Sequence, residues 1–178
     1  DVPLEAEQAF VLEEEIMGAC PNCEIEKATT YEAAAKKLES QSYDVVILDI
    51  MGVRGFDLLD LAVSRHMKVA MLTSHALNPE ALRRSFDMKA RAYLPKDKLG
   101  EIVPFLEDVL TYEFLPGWKV LFKKLGDLFE SWKEKSGYNL YQELKEKEAA
   151  LKELRELNVD TISNSQRVNS TTVASLLS

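Results

Sequence analysis

The chain has 178 residues, of which 46% are hydrophobic and 29% are charged, and its net charge at pH 7 is -8. This length fits one domain of about 100 to 150 residues with an appendage, and the composition excludes a wholly disordered chain. The negative charge argues against nucleic acid or an anionic membrane as the main partner, because phosphate groups attract clustered cations. No run approaches the roughly 18 apolar residues of a membrane span, so we expect a cytoplasmic protein that does not associate with membranes.

The chain begins with a predicted helix, a turn and a strand. Residues 4–17 mix apolar side chains with five glutamates, which is typical of an amphipathic helix, and residues 24–29 alternate weakly, as in a short strand. Cys20 and Cys23 lie between them. Because this pair follows a helix and has no second pair of metal ligands near it in sequence, we interpret both as turn cysteines. Redox or metal binding is the minor alternative.

Helices and strands then alternate as far as residue 112. The pattern predicts helices at 31–38, 56–64, 79–88 and 99–112 and strands at 43–49, 68–73 and 90–95. Thr30 and Asn78 stand at the N-cap positions of two of these helices. Such alternation predicts an α/β domain, in which a parallel sheet carries helices on both faces.

Three of the predicted strands end in polar side chains. Asp49 ends the first, the hydroxyls of Thr73 and Ser74 end the second, and Lys96 ends the third. Ligands of open α/β sheets gather at the carboxyl ends of parallel strands, so we expect these side chains to meet at one edge. A carboxylate, a hydroxyl and an ammonium together predict a site that handles a phosphoryl group.

Each of these residues also has a simpler interpretation. Asp49 alone is compatible with a carboxylate that caps a nearby backbone, Thr73 with an ordinary strand residue, and Lys96 with a solvated loop lysine. Tyr93, in the third strand, is by itself more typical of a half-buried strand aromatic than of a moving part. The functional interpretation depends on these residues coming together.

Four motifs make residues 1–112 resemble the receiver domains of two-component response regulators. In chain order they are DVVILD at 44–49, GFDLL at 55–59, MLTS at 71–74 and YLPK at 93–96. The resemblance implies a doubly wound parallel sheet of the flavodoxin-like type, with strand order 2-1-3-4-5. The family's first strand, which is central in that sheet, has no counterpart before residue 4. We therefore expect this strand either upstream of the chain or as a substitute from elsewhere in it.

The resemblance also implies a signalling role rather than an enzymatic one. A histidine kinase or phosphotransfer protein would donate a phosphoryl group to Asp49, which acts as the nucleophile. Lys96 would pair with that group, and the Thr73 hydroxyl would bind one of its oxygens. Tyr93 would swing inward and report the state to the surface formed by the fourth and fifth helices and the fifth strand. Such a phosphoacceptor assists its own phosphoryl transfer and hydrolysis.

Mg²⁺ is the cofactor that the resemblance implies. Its ligands would be the Asp49 carboxylate, the backbone carbonyl of Met51, and Asp1, which stands where the second acid of the family's acidic pair belongs. The loop after Asp49 departs from the family, because Gly52 replaces the usual proline and Gly55 comes two residues early. This shorter loop favours, as an alternative, a receiver-like interaction module that is not phosphorylated. A small α/β enzyme is a third alternative, which the lack of a second catalytic carboxylate or histidine beside Asp49 disfavours.

The sequence divides into three parts. Residues 1–112 form the predicted receiver domain, residues 113–157 a helical extension, and residues 158–178 a flexible tail that is rich in Ser, Thr and Asn. The chain has no basic recognition helix, which argues against direct DNA binding.

The helical extension has two parts. A break at 115–117 (LPG) precedes apolar and aromatic residues that recur at helical spacing from Trp118 to Trp132. A short heptad-like pattern then runs from Leu140 to Leu154. We expect either a helical hairpin that packs on its own domain or a surface for docking or homodimer formation.

Overall fold

A computed structural model describes residues 4–50, 54–73, 79–126 and 172–176, together with isolated helical positions at 142, 143, 146, 149, 150 and 153. These residues form an α/β fold with a parallel sheet, as predicted. The helices are α1 (Leu4–Ala19), α2 (Tyr31–Ser40), α3 (Gly55–Ser64), α4 (Pro79–Asp87), α5 (Ile102–Thr111) and α6 (Phe114–Lys124). The strands are β1 (Glu24–Ala28), β2 (Val45–Asp49), β3 (Lys68–Thr73), β4 (Ala92–Pro95) and β5 (Thr172–Leu176), and a 3-10 helix (Lys96–Glu101) precedes α5.

The five strands form one parallel sheet in the order β1-β5-β2-β3-β4. Both β2 and β3 have a strand on each side, and every side chain in them is buried except the partly exposed Lys68. A parallel sheet is covered on both faces, so its inner strands are continuous apolar runs rather than alternating ones. This explains the unbroken VVIL sequence of β2 before Asp49.

Helices cover the sheet in two layers. Both α3 and α5 pack against β2 and β3, but α3 has α2 as its neighbour and α5 has α1, which places them on opposite faces. Their buried side chains recur at helical spacing: Leu58, Leu59 and Ala62 in α3, and Ile102, Phe105, Leu106 and Val109 in α5. Each large apolar side chain contributes about 1.5–3 kcal/mol when it is fully buried, so these two helices account for much of the sheet's attachment.

One inner strand of the sheet comes from the C-terminal part of the chain. Residues Thr172–Leu176 form β5, which pairs with β1 on one side and β2 on the other. The interpretation of 158–178 as a flexible tail is therefore wrong for these five residues. A gap between β1 and β2 would leave two rows of backbone N–H and C=O groups unpaired, which is costly. Of the two expectations for this position, a substitute strand from elsewhere in the chain is the one observed.

Two predicted boundaries also change. The predicted helix 99–112 begins as the 3-10 helix at Lys96 and becomes α5 at Ile102. The predicted break at 115–117 is wrong, because Pro116 lies in the first turn of α6. Backbone N–H groups in a first turn have no partner within the helix, so proline is tolerated there. The predicted cap at Thr30 is confirmed, since its hydroxyl accepts a hydrogen bond from the Ala33 N–H at 3.2 Å.

Cys20 and Cys23 lie in the turn between α1 and β1, as predicted, and they form a disulfide. The turn follows the last residue of α1, and the Cys23 N–H donates to the Cys20 carbonyl at 3.0 Å. A helix C-terminus carries partial negative charge, which disfavours a thiolate. The turn interpretation of the pair therefore agrees with its position.

Candidate functional site at the carboxyl ends of the strands

Asp49 ends β2, in which every side chain is buried. Its side chain is only 3% exposed, and its partner in the register with β3 is Leu72. The ladder continues one step further, because the Ile50 N–H donates to the Leu72 carbonyl at 2.9 Å. The backbone on both sides of the carboxylate is therefore fixed, and a buried carboxylate needs a charged or hydrogen-bonding partner.

Lys96 supplies a partner for that carboxylate. It follows the last residue of β4, and its ammonium donates to Asp49 Oδ2 at 2.5 Å, with 7% of the lysine side chain exposed. Charge-assisted hydrogen bonds of this kind are about twice as strong as neutral ones. Two ions pay a desolvation penalty when they are buried, so such a pair is weak evidence for a stabilising role. A chemical role explains better than a stabilising one why this ion pair lies at the carboxyl edge of the sheet.

Thr73 ends β3, the strand between the other two. Its register partner in β4 is Pro95, the residue before Lys96, and Thr73 is 5% exposed. Because neighbouring strands lie about 4.8 Å apart, Asp49, Thr73 and Lys96 come from three adjacent strand ends. The predicted meeting of these residues at one edge is observed. Ser74, predicted beside Thr73, lies outside the described residues.

Gly55 also belongs to the site, and the sequence alone did not reveal why a glycine stands at this position. A Cβ atom at this position would lie 2.5 Å from the carbonyl oxygen of Asp49 and 3.2 Å from the Cα atom of Ile50. The start of α3 therefore packs directly on the backbone of β2, which only glycine permits. The preceding residue, Arg54, adopts the left-handed conformation, with φ 53° and ψ 52°. The sequence offered one signal for this close approach, namely a glycine six residues after Asp49.

Arg54, the residue before Gly55, interacts with two neighbouring side chains. Its guanidinium lies 4.1 Å from the centroid of the Tyr31 ring, and its Nε donates to Asp57 Oδ2 at 2.7 Å. That carboxylate raises the pKa of Arg54. Nearby, the Arg84 guanidinium stacks on the Phe56 ring at 4.2 Å. Both cations are held against aromatic rings.

Tyr93 is fully buried in β4, opposite Met71 of β3. The half-buried position expected for an ordinary strand aromatic is therefore wrong. The buried ring agrees with the inward position that the family resemblance implies. Whether the ring moves stays a prediction.

Two other clusters of titratable groups lie away from this edge. Tyr43 and Lys37 donate to Glu26 Oε2 at 2.5 Å and 3.0 Å, and the Tyr43 hydrogen bond is the main reason that the pKa of Glu26 is lowered. Burial raises the pKa of Tyr43. At the amino ends of β3 and β4, burial lowers the pKa values of Lys68 and Arg91. These groups bond to neighbours inside the fold, away from the carboxyl ends of the strands.

The predicted Mg²⁺ ligands are covered only in part. Asp1 and Met51 lie outside the described residues, and within the described ranges no three His, Cys, Asp or Glu side chains come together to hold a metal. Mg²⁺ commonly uses one or two carboxylates, with water and phosphate oxygens completing its octahedron. The single carboxylate of Asp49 is compatible with that pattern, and the full ligand set stays a prediction.

Comparison with known proteins does not assign the chain to a family. No protein-family model matches the chain, and no curated protein matches it in sequence. In the part of the chain that the structure describes, none of the helices is both long enough and apolar enough to cross a membrane.

Proposed function

We propose that this chain is a phosphoacceptor signalling protein of the receiver type, with Asp49 as the residue that takes the phosphoryl group. The observation that carries the proposal is the buried Asp49–Lys96 pair, joined at 2.5 Å across three strand ends with Thr73 between them. Residues 47 positions apart in sequence form this pair. The strand order, with β5 in the second position between β1 and β2, is compatible with a flavodoxin-like receiver sheet.

The proposed chemistry is transfer of a phosphoryl group from a phosphohistidine. An Asp49 oxygen attacks phosphorus while the bond from phosphorus to the donor's imidazole nitrogen breaks, and that nitrogen keeps the electron pair. Lys96 then donates to a phosphoryl oxygen instead of to the carboxylate, and the Thr73 hydroxyl donates to another. Bound Mg²⁺ would supply charge neutralisation at the phosphoryl oxygens, with Asp49 as one ligand. The partner is a histidine kinase or phosphotransfer protein in the cytoplasm.

A second candidate is an interaction module with the same fold that does not take up phosphate. One observation favours it: Lys96 already pairs with the carboxylate and neutralises it. A phosphoryl group could be accommodated there only if the lysine moved. The third alternative, an α/β enzyme, has no described catalytic partner beyond these residues.

One experiment separates the first two candidates. The full chain is incubated with Mg²⁺ and acetyl phosphate, and its intact mass is recorded. We expect the mass of one phosphoryl group on the wild type and none on Asp49→Asn. The matched control is Asp60→Asn, the same change at an exposed carboxylate of α3, which should be phosphorylated like the wild type. A wild type that gains no mass and binds no beryllofluoride supports the interaction module instead.

A further inference from the structure

Helix α6 docks on the domain through an aromatic face. Trp118 is fully buried, and its indole Nε1 donates to the carbonyl oxygen of Ala90 at 2.8 Å. Its ring lies 5.2 Å from that of Phe86 in an edge-on arrangement, and Phe114 and Phe122 flank it at 6.4 Å and 5.8 Å. Aromatic pairs with this geometry add about 0.5–1.5 kcal/mol each beyond the area that they bury.

The same helix bridges two helices that do not belong to one layer. Phe86 belongs to α4, whereas Lys124 of α6 donates to Asp108 Oδ2 of α5 at 2.5 Å. The Lys124 ammonium also lies 5.5 Å from the ring centroid of Phe105 in α5. Between these attachments, α6 contacts β4, the last strand of the sheet. It therefore covers the β4 side of the sheet from α4 to α5.

The elements under α6 are those that continue from the site residues. The chain passes from Thr73, at the end of β3, to α4, and from Lys96, at the end of β4, through the 3-10 helix into α5. In this structure Lys96 is in direct contact with Asp49. A phosphoryl group on Asp49 would have to come between those two side chains, and the Thr73 hydroxyl would turn toward it. Both supports of α6 are thus attached to residues that the group displaces.

We propose that α6 is the part of this chain that responds to the Asp49 site, and that a phosphoryl group at Asp49 weakens its docking on α4, β4 and α5. This inference rests on the proposed function. A group shifts such an equilibrium only by its different interaction with the two states, and the docked arrangement observed here is the one in which Lys96 contacts Asp49. Undocking exposes the apolar face of α6, which consists of Leu115, Trp118, Leu121 and Phe122.

The test uses the full chain with Trp132→Phe, because the protein has two tryptophans and this change leaves Trp118 as the reporter. Mg²⁺ and beryllofluoride are added, and ¹⁹F NMR records whether beryllofluoride is bound. We expect a red shift of Trp118 emission and about tenfold faster amide exchange in α6, from Phe114 to Lys124. Bound beryllofluoride without either change overturns the inference and leaves the proposed function standing. No bound beryllofluoride overturns both.

Coupling of this kind is reciprocal, so loosening α6 must strengthen binding at Asp49 by the same factor. Asp108→Asn removes the ion pair with Lys124 and should tighten beryllofluoride binding about threefold or more. The matched control is Glu13→Gln, which removes the exposed Lys27–Glu13 ion pair between β1 and α1, away from α6, and should leave the affinity unchanged. An unchanged or weaker affinity in Asp108→Asn contradicts the coupling.

Discussion

The two ends of the parallel strands hold their charges in different ways. At the carboxyl end, the Lys96 ammonium meets the side-chain carboxylate of Asp49. At the amino end, Lys68 and Arg91 carry the same charge, and each donates to a backbone carbonyl near the end of α5: Leu110 at 3.0 Å and Tyr112 at 3.2 Å. One end thus pairs two side chains, and the other pairs side chains with a helix terminus.

This difference makes the carboxyl end suited to chemistry and the amino end suited to supporting the fold. Carbonyl groups at a helix C-terminus carry partial negative charge and are fixed by the backbone, so they hold Lys68 and Arg91 without offering a group to modify. The pKa of Lys68 is lowered by burial first and by Arg91 second, which shows that the amino end tolerates two cations at some cost. A carboxylate side chain, by contrast, can exchange its lysine partner for another group.

The largest expected effect contrasts the two lysines. Lys96→Met removes the ammonium from a buried carboxylate, and the loss of one member of a buried ion pair costs about 3–5 kcal/mol. Lys68→Met removes a hydrogen bond to a carbonyl and also the repulsion with Arg91, so its cost should stay within about 0.5–1.5 kcal/mol. Urea-induced unfolding of both variants measures the two free energies. Equal costs would break the comparison between the two ends.

A double variant sharpens the same point. Asp49→Asn in the Lys96→Met background leaves no charge at the site, so the free energy of unfolding should rise above that of Lys96→Met alone. If the cost of Lys96→Met came from lost packing of the lysine stem instead, the second substitution would recover nothing. Phosphorylation by acetyl phosphate should be absent in both variants and retained in Lys68→Met.

A smaller effect is expected from the glycine that packs on β2. Gly55→Ala places a Cβ 2.5 Å from the Asp49 carbonyl oxygen, so the backbone must shift, at a cost of about 1–3 kcal/mol. The matched control is Gly18→Ala in α1, where a Cβ would meet no atom within 4 Å. Alanine is favoured over glycine in a helix by roughly 0.5–1 kcal/mol, so this variant should be stabilised. Thermal unfolding of the two variants measures both changes in stability. A Gly55→Ala variant as stable as the wild type would show that the start of α3 is free to move.

The carboxyl-end site was predictable because its signals are local and its geometry follows from one rule. Each of Asp49, Thr73 and Lys96 directly follows or ends an apolar run, and parallel strands bring their carboxyl ends to one edge. The sequence therefore placed a carboxylate and an ammonium together although they are far apart in the chain. The role of Gly55 was not predictable, because close backbone approach leaves no signal beyond the glycine itself.

The inner strand β5 escaped prediction for the opposite reason. The sequence TVASL at 172–176 is short and lies in a region rich in Ser, Thr and Asn, so its composition resembles that of a tail. Its strand conformation comes from pairing with β1 and β2, both distant in sequence. Tertiary pairing of this kind overrides local composition. The first turn of α6 is hard to predict for a simpler reason, since a proline usually interrupts a helix although a first turn accepts it, as at Pro116.

The smallest expected effect lies away from both strand ends, at Glu26 of β1. The hydrogen bond from Tyr43, and next that from Lys37, lowers the pKa of Glu26 below its ordinary value of 4.5. The unfolded chain therefore takes up this proton at a higher pH than the folded one. The stabilisation is complete above about pH 4.5 and is lost as the pH falls through the lower folded pKa. Between pH 7 and pH 3, the wild type should lose more free energy of unfolding than Glu26→Gln.

That difference should lie within the range of about 0–1 kcal/mol found for partly exposed ion pairs, because the Glu26 side chain is 30% exposed. Urea-induced unfolding at several pH values measures it, with Glu24→Gln, at the exposed start of β1, as the control that should follow the wild type. Glu26 lies in β1 and Tyr43 lies between α2 and β2, so their hydrogen bond joins β1 to the segment that precedes β2. Parallel pH profiles for the wild type and Glu26→Gln would show that the bonds to Glu26 add no pH-dependent stability.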